Sequence, residues 1–141
     1  SMLLHPVVHL HLFNSCGELY LQKRPAWKDI QPGRWDTAVG GHVDWGEEPL
    51  AALRREVREE VGVTDFEPQH VLTYLFESER ERELVYVYKT VYDGPVVPSG
   101  ELDGGRFWTL REIAEGVGGG IFTPNFEGEI RRVAELPDVG R

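Results

Sequence analysis

The stretch Gly41-His42-Val43-Asp44-Trp45-Gly46-Glu47-Glu48-Pro49-Leu50-Ala51-Ala52-Leu53-Arg54-Arg55-Glu56-Val57-Arg58-Glu59-Glu60-Val61-Gly62-Val63 sets carboxylates at the mouth and along one face of a short helix. The helix opens near Glu48 with Pro49 at its first position, where a missing N–H costs nothing, and closes at Gly62, which supplies a left-handed cap. An α-helix turns by about 100° per residue, so Glu56, Glu59 and Glu60 fall within one arc. Leu50, Leu53, Val57 and Val61 form the neighbouring apolar stripe that anchors the helix to a core. Like charges at three- and four-residue spacing repel by a few tenths of a kcal/mol per pair. A cation removes that penalty, so the spacing points to a divalent-metal site.

Position by position, the same residues resemble the signature of the Nudix hydrolases: Gly41, five residues, Glu47, seven residues, Arg55-Glu56-Val57, one residue, Glu59-Glu60, one residue, Gly62-Val63. No position departs from it. The resemblance implies the Nudix α/β/α sandwich, an α/β fold with a mixed sheet. It also implies an enzyme that cleaves a diphosphate linkage in a small nucleoside or other organic diphosphate derivative, with water attacking phosphorus. Such an attack needs charge neutralised on the bridging oxygens and a water acidic enough to ionise. Magnesium (Mg2+), or Mn2+, does both when a few carboxylates hold it with positions open for water and substrate. Glu56, Glu59 and Glu60 are the expected metal ligands. The Gly41 carbonyl is expected as a fourth, because glycine allows close backbone approach. Arg55, one position before Glu56 and four before Glu59, is expected to brace the carboxylates through charge-assisted hydrogen bonds, and Glu47 to do so from the loop before the helix. The catalytic base stays open between Glu59, inside the box, and Glu83, Glu101 or Asp103 on loops or strand ends.

Upstream, Leu21-Gln22-Lys23-Arg24-Pro25-Ala26-Trp27-Lys28, then Pro32-Gly33-Arg34-Trp35-Asp36-Thr37 and Gly40-Gly41-His42-Val43, resemble the branch of Nudix proteins related to isopentenyl-diphosphate isomerase. That resemblance implies that Arg24 and Lys28 hold a substrate diphosphate, a role suited to a cation pair facing a metal site. It also matches His42 and His5 to metal-binding histidines and Glu81 and Glu83 to a Glu-x-Glu segment. His42 thereby becomes a further metal-ligand candidate. The position of the isomerase's catalytic cysteine is Gly40 here, so protonation chemistry at an allylic carbon lacks its thiol. Isomerase-like activity and a non-catalytic ligand-sensing module are the rival readings, the second disfavoured because every box carboxylate is kept. Trp27, Trp35 and Trp45 flank the expected mouth and offer rings for stacking, with Trp35 taken as a substrate contact. His5, His9 and His11 share one parity on a strand, so a zinc site is conceivable there, although strand histidines are more often structural.

With 141 residues, the chain is long enough for one domain over 1–141 that buries roughly two thirds of its unfolded surface without staples. Cys16 is the single cysteine, which rules out an intrachain disulfide. The net charge of −9 weighs against a general nucleic-acid or anionic-membrane surface and suits a protein that gathers carboxylates around cations. Histidines and a proline interrupt the apolar run from Met2 to Leu12, which has no basic leader. The expectation is therefore a cytoplasmic protein whose partner is a small-molecule diphosphate, with no nucleic acid and no membrane. Its oligomeric state stays open, a homodimer included.

Strands are expected at Val7–Phe13, Glu18–Gln22, Trp35–Val39, Phe66–Phe76, Leu84–Tyr92 and Gly105–Thr109. Asn14 to Gly17 reads as a hairpin turn and the charged run Glu77–Glu83 as a connection. Leu110–Glu115 and Pro124–Leu136 read as helices, the latter with Phe126, Ile130 and Val133 on one side, while Gly116–Gly120 reads as mobile. Strands, helix, strands, then helix is the order of a mixed sheet between helical layers.

Overall fold

Alternation along β1 (Leu4–Phe13) decides which face of the sheet carries which chemistry. Successive strand side chains point to opposite faces. Val8, Leu10 and Leu12 are fully buried in the cluster that also takes Ala52, Leu53, Val57 and Val61 of α1 (Pro49–Val61). His9 and His11 point the other way, toward α3 (Pro124–Val133), and meet it through Glu129. The computed structural model describes residues 3–25, 31–100 and 104–140.

Around β1 the sheet grows in both directions. On one side β6 (Arg82–Val91) runs parallel to it from Leu4↔Arg82 to Phe13↔Val91, and β5 (Gln69–Glu77) adds antiparallel to β6 at the edge. On the other side β1 shares its length between two antiparallel partners: β4 (Val39–His42) covers Val7 to Leu10, and β2 (Leu19–Lys23) covers Leu12 and Phe13. Both β3 (Trp35–Thr37) and β7 (Gly105–Trp108) pair with β2. The principal order is β3-β2-β1-β6-β5. The helix α1 covers one face, while α2 (Leu110–Gly116) and α3 cover the other over Leu19, Leu21, Trp108 and Phe122. This is the expected mixed sheet between helical layers. Removing Leu53, Val57 and Val61 from water stabilises the seating of α1 by roughly 1.5–3 kcal/mol each.

The helix boundaries follow local chemistry. Pro49 takes the first turn of α1, and Gly62 closes it at φ 69°, its N–H donating to the Arg58 carbonyl at 3.1 Å. Thr109 and Glu112 cap α2 reciprocally, each side chain accepting from the other residue's backbone N–H.

Several expected boundaries move. Trp35–Val39 is two strands, because β3 follows β2 while β4 crosses to β1, and the chain changes partner at Ala38. Phe66 does not begin a strand: its ring is buried under the Arg54 guanidinium, and β5 starts at Gln69, after Pro68, which has no N–H to give a ladder. The β5–β6 connection tightens to Ser78–Glu81, closed by Ser78 N–H to the Glu81 carbonyl at 2.8 Å. Leu50 is 43% exposed, and Ala52 takes its expected place in the core. The last helix ends at Val133, since Ala134 is extended. The glycine run is tied down, with Gly119 N–H donating to the Gly116 carbonyl at 3.0 Å and Gly118 N–H to Glu127 Oε2 at 3.0 Å.

Candidate active site

Arg55 organises the mouth of α1. Its Nε donates to Glu47 Oε2 at 2.9 Å and its Nη2 to Glu47 Oε1 at 3.0 Å, a two-pronged grip on the loop before the helix. Its Nη1 donates to Glu56 Oε1 at 2.7 Å and stands 3.5 Å from Glu59 Oε2, and its Nη2 also reaches the His42 carbonyl at 3.0 Å. One planar cation with a rigid fork of donors therefore holds the helix, the preceding loop and the end of β4 together. The Glu47 carboxyl is held down to about 2, chiefly by its hydrogen bond from Arg55 and then by the Asp44 backbone N–H. Arg55 in turn is held above its ordinary value by Glu47 and then Glu56.

One turn further along, Glu60 faces inward. Burial first, and then the neighbouring Glu56 carboxylate, push its carboxyl up to about 9, against the Gly40 backbone and the Gln22 amide. A buried carboxyl held protonated beside a second carboxylate forms a place where a cation replaces a proton. The backbone leaves the room: a Cβ at Gly41 would fall inside the Glu56 carboxylate. Glu56 and Glu59 lean on Arg55 while Glu60 turns toward Gln22, and among the described residues no three His, Cys, Asp or Glu side chains already converge on one point. The donor set is one of hard oxygens and fits a magnesium-type cation better than a soft metal.

Beside Gly40 and Gly41 opens a cleft of about 550 Å3, lined among others by His9, Arg24, Asp36, Phe76, Arg80 and Glu83. A larger recess of about 790 Å3 lies between Phe13, Lys89 and Val133 and contains none of the expected site residues. The carboxylate helix, its arginine brace and the adjoining cleft make the first the candidate active site.

The family model described as NUDIX domain matches residues 3–126. The chain belongs to the NUDIX domain family. Relatives agree with this: an uncharacterised Nudix hydrolase of Pseudomonas aeruginosa is 36% identical over 97 residues, 68% of this chain and 57% of that protein. An isopentenyl-diphosphate Delta-isomerase of Serratia proteamaculans is 31% identical over 118 residues, 80% of this chain and 64% of the isomerase. The NUDIX domain thus spans less than two thirds of each of these two relatives' length. Among solved structures, a Deinococcus radiodurans protein superposes with a TM-score of 0.79 at 26% identity, covering 91% of this chain and 82% of its own. A MutT protein of Methanosarcina mazei shares the fold, with a TM-score of 0.78 at 24% identity and 94% coverage of both chains.

Within this NUDIX domain the expected residues are placed unevenly. Arg24 lines the cleft and stands 3.7 Å from Asp36 Oδ2. Lys28, Trp27, Glu101 and Asp103 lie outside the described residues. Trp35, expected as a substrate contact, packs instead on the second core cluster, edge to face with Trp108 at 5.2 Å between ring centres. Its sequence neighbour Asp36 is the one that lines the cleft. Trp45 is fully exposed. The His5 and His42 rings lie edge to face with centres 6.3 Å apart, and Glu81 and Glu83 line the cleft with His42.

The sequence reading passed over one buried polar group, which sits behind the cleft residue His9 and itself lines a separate recess of about 320 Å3. Glu129, 2% exposed, accepts from His9 Nδ1 at 2.7 Å, from His11 Nε2 at 2.9 Å and from the Tyr74 hydroxyl. Burial alone would raise its carboxyl, but the hydrogen bonds and charges of the two histidines hold it well below the carboxylate range. Burial likewise opposes charge on His9, yet Glu129, with Asp36 and Glu83 behind it, raises that ring above its ordinary value. The legible signal was Glu129 itself: with Phe126, Ile130 and Val133 it completes the helical spacing of a buried face.

Proposed function

We propose that this NUDIX domain hydrolyses a diphosphate linkage in a small nucleoside or other organic diphosphate derivative, with magnesium or manganese as cofactor and water attacking phosphorus. The observation that carries the reading is the Glu56–Glu60 pair, set against the backbone of Gly41, itself a residue of the cleft wall, and braced by Arg55. Glu56, Glu59, Glu60 and the Gly41 carbonyl would hold the cation. When bound, it supplies charge neutralisation at the diphosphate and a water acidic enough to ionise. Arg55, itself gripped by Glu47, holds Glu56 and Glu59 together at the mouth of the helix. Arg24 on the cleft wall, with Lys28, binds phosphate oxygens. Glu59, 54% exposed beside the mouth, is the carboxylate best able to take the proton from the attacking water.

Isomerisation of an isoprenyl diphosphate is disfavoured by Gly40. This residue has no side chain to exchange a proton, and a Cβ there would lie 3.3 Å from His9 Cδ2, a tight contact to which that ring would have to give slightly. The test is a screen with magnesium or manganese against nucleoside diphosphate sugars, dinucleoside polyphosphates, nucleoside triphosphates and isoprenyl diphosphates in oxygen-18 water. We expect the label on a phosphate product. Isopentenyl diphosphate in heavy water should give no dimethylallyl product and no deuterium at allylic carbons. Deuterium in those carbons overturns the hydrolase reading, and label found only in the organic alcohol means attack at carbon.

A further inference from the structure

The buried carboxylate behind His9 is more than a satisfied core pair. Glu129 Oε2 stands 2.7 Å from His9 Nδ1 and accepts from the Tyr74 hydroxyl, its Oε1 stands 2.9 Å from His11 Nε2, and against the effect of burial the two histidines hold the carboxyl well below the carboxylate range, so it is ionised. A buried anion is costly unless a cation is near, and among the described residues its ion-pair partners are the two histidines. One of them therefore carries the balancing proton. His11 is fully buried and its Nδ1 has no hydrogen-bond partner among the described residues, whereas His9 reaches the cleft.

His9 is the better choice. Its Nδ1–H is spent on Glu129, and its other edge faces the cleft, where the ring is 14% exposed and lies against the side-chain-free Gly40. Asp36 and Glu83 favour positive charge on it, while Arg24 and Arg80, also on the cleft wall, are the cations that share the space. A cation fixed from behind by a buried carboxylate, with its other edge on a cleft, is a preorganised anion contact.

We propose that His9 contacts the substrate, donating from Nε2 to a phosphoryl oxygen of a diphosphate bound in the cleft, with Glu129 as the positioning residue that holds its ring. This rests on the reading of the cleft as a diphosphate site. The contact adds a donor from the sheet to a cleft that Arg24 and Arg80 also line, and so favours ligands with two linked phosphates over a monophosphate that one cluster of cations could satisfy.

The experiment uses the full chain, histidine nitrogens labelled, with magnesium and the non-hydrolysable probe methylenediphosphonate. At pH 7 both His9 ring nitrogens should carry protons, and the probe should move the Nε2 signal more than Nδ1. His9→Asn, whose amide reaches Glu129 but not the cleft, should stay folded and bind the probe at least about tenfold more weakly, the size of one lost hydrogen bond to charge. His9→Gln, whose amide reaches toward the cleft, should recover part of that loss. On a hydrolysed substrate, His9→Asn should raise KM more than it lowers kcat. A neutral His9 ring, a probe that leaves Nε2 unmoved, no binding by the wild type, or equal binding by His9→Asn each overturns the contact. If the wild type binds the probe through Nε2 and hydrolyses no diphosphate, the contact stands and the hydrolase reading fails.

Discussion

At the scale of single residues, the carboxylates of α1 differ by where their oxygens can go. Glu60 is enclosed and shares its surroundings with Glu56, while Glu59 stands in solvent beside Arg55. Replacing either Glu59 or Glu60 by Gln keeps the shape and removes a charged ligand, so turnover should fall by at least roughly a hundredfold with little change in Tm. Steady-state kinetics beside thermal melts check this, and near-normal magnesium-dependent turnover in both variants removes them from the catalytic role. Arg24 acts on the other partner. Arg24→Ala and Lys28→Ala should raise KM for a diphosphate substrate by roughly 1–3 kcal/mol each while leaving metal affinity nearly unchanged. Calorimetric titration with magnesium separates the two effects, and unchanged KM and kcat in both variants would rule out the diphosphate clamp.

At the scale of elements, α1 was legible because its signals are local: a proline at the first turn, a 3.6-residue apolar period, and a glycine at the end. The Gly62 backbone sits at φ 69°, which a Cβ disfavours, so Gly62→Ala should destabilise the fold by roughly 1–2 kcal/mol. Denaturant unfolding with an unchanged slope is the measurement, and an unaltered midpoint would mean the cap relaxes freely. Strand β1 was legible in its alternation, including the shared parity of its histidines. What they face was not, because Glu129 is 120 residues further along the chain from His9, and only the docking of α3 joins them. The division of Trp35–His42 between β3 and β4 escaped for the same kind of reason. No local residue marks a change of partner strand, which is set by where β1 runs out of free edge. Leu50 shows the limit of periodicity, which assigns a face without saying how wide the covered part of that face is.

At the scale of the whole molecule, two carboxylates far apart in the fold set how it responds to acid. Glu47 is held to about 2 by Arg55, against an ordinary value near 4.5, and Glu129 is held well below that value by His9 and His11 against the opposing effect of burial. Both folded values lie below the unfolded ones, so in the acid range the unfolded chain binds more protons and stability falls as pH falls. Their contribution is complete above about 4.5; that of Glu47 drains away as pH drops through about 2, and that of Glu129 is lost over the acid range below its ordinary value. Glu47 is only half-buried and its charge is screened at the helix mouth, so its share is small. Glu129 is buried with its charge paired, and stripping one member of such a pair costs roughly 3–5 kcal/mol. Glu129→Gln should therefore lower Tm at pH 7 by on the order of 10 °C. It should also flatten the decline of Tm below pH 4.5, because the amide has no proton to take up where the carboxylate did. Glu47→Gln should change that slope only slightly. Thermal melts of the three proteins from pH 7 to pH 2 make the comparison, and a Glu129→Gln variant as acid-sensitive as the wild type would place the origin of the acid response in some other group than the carboxylate under His9.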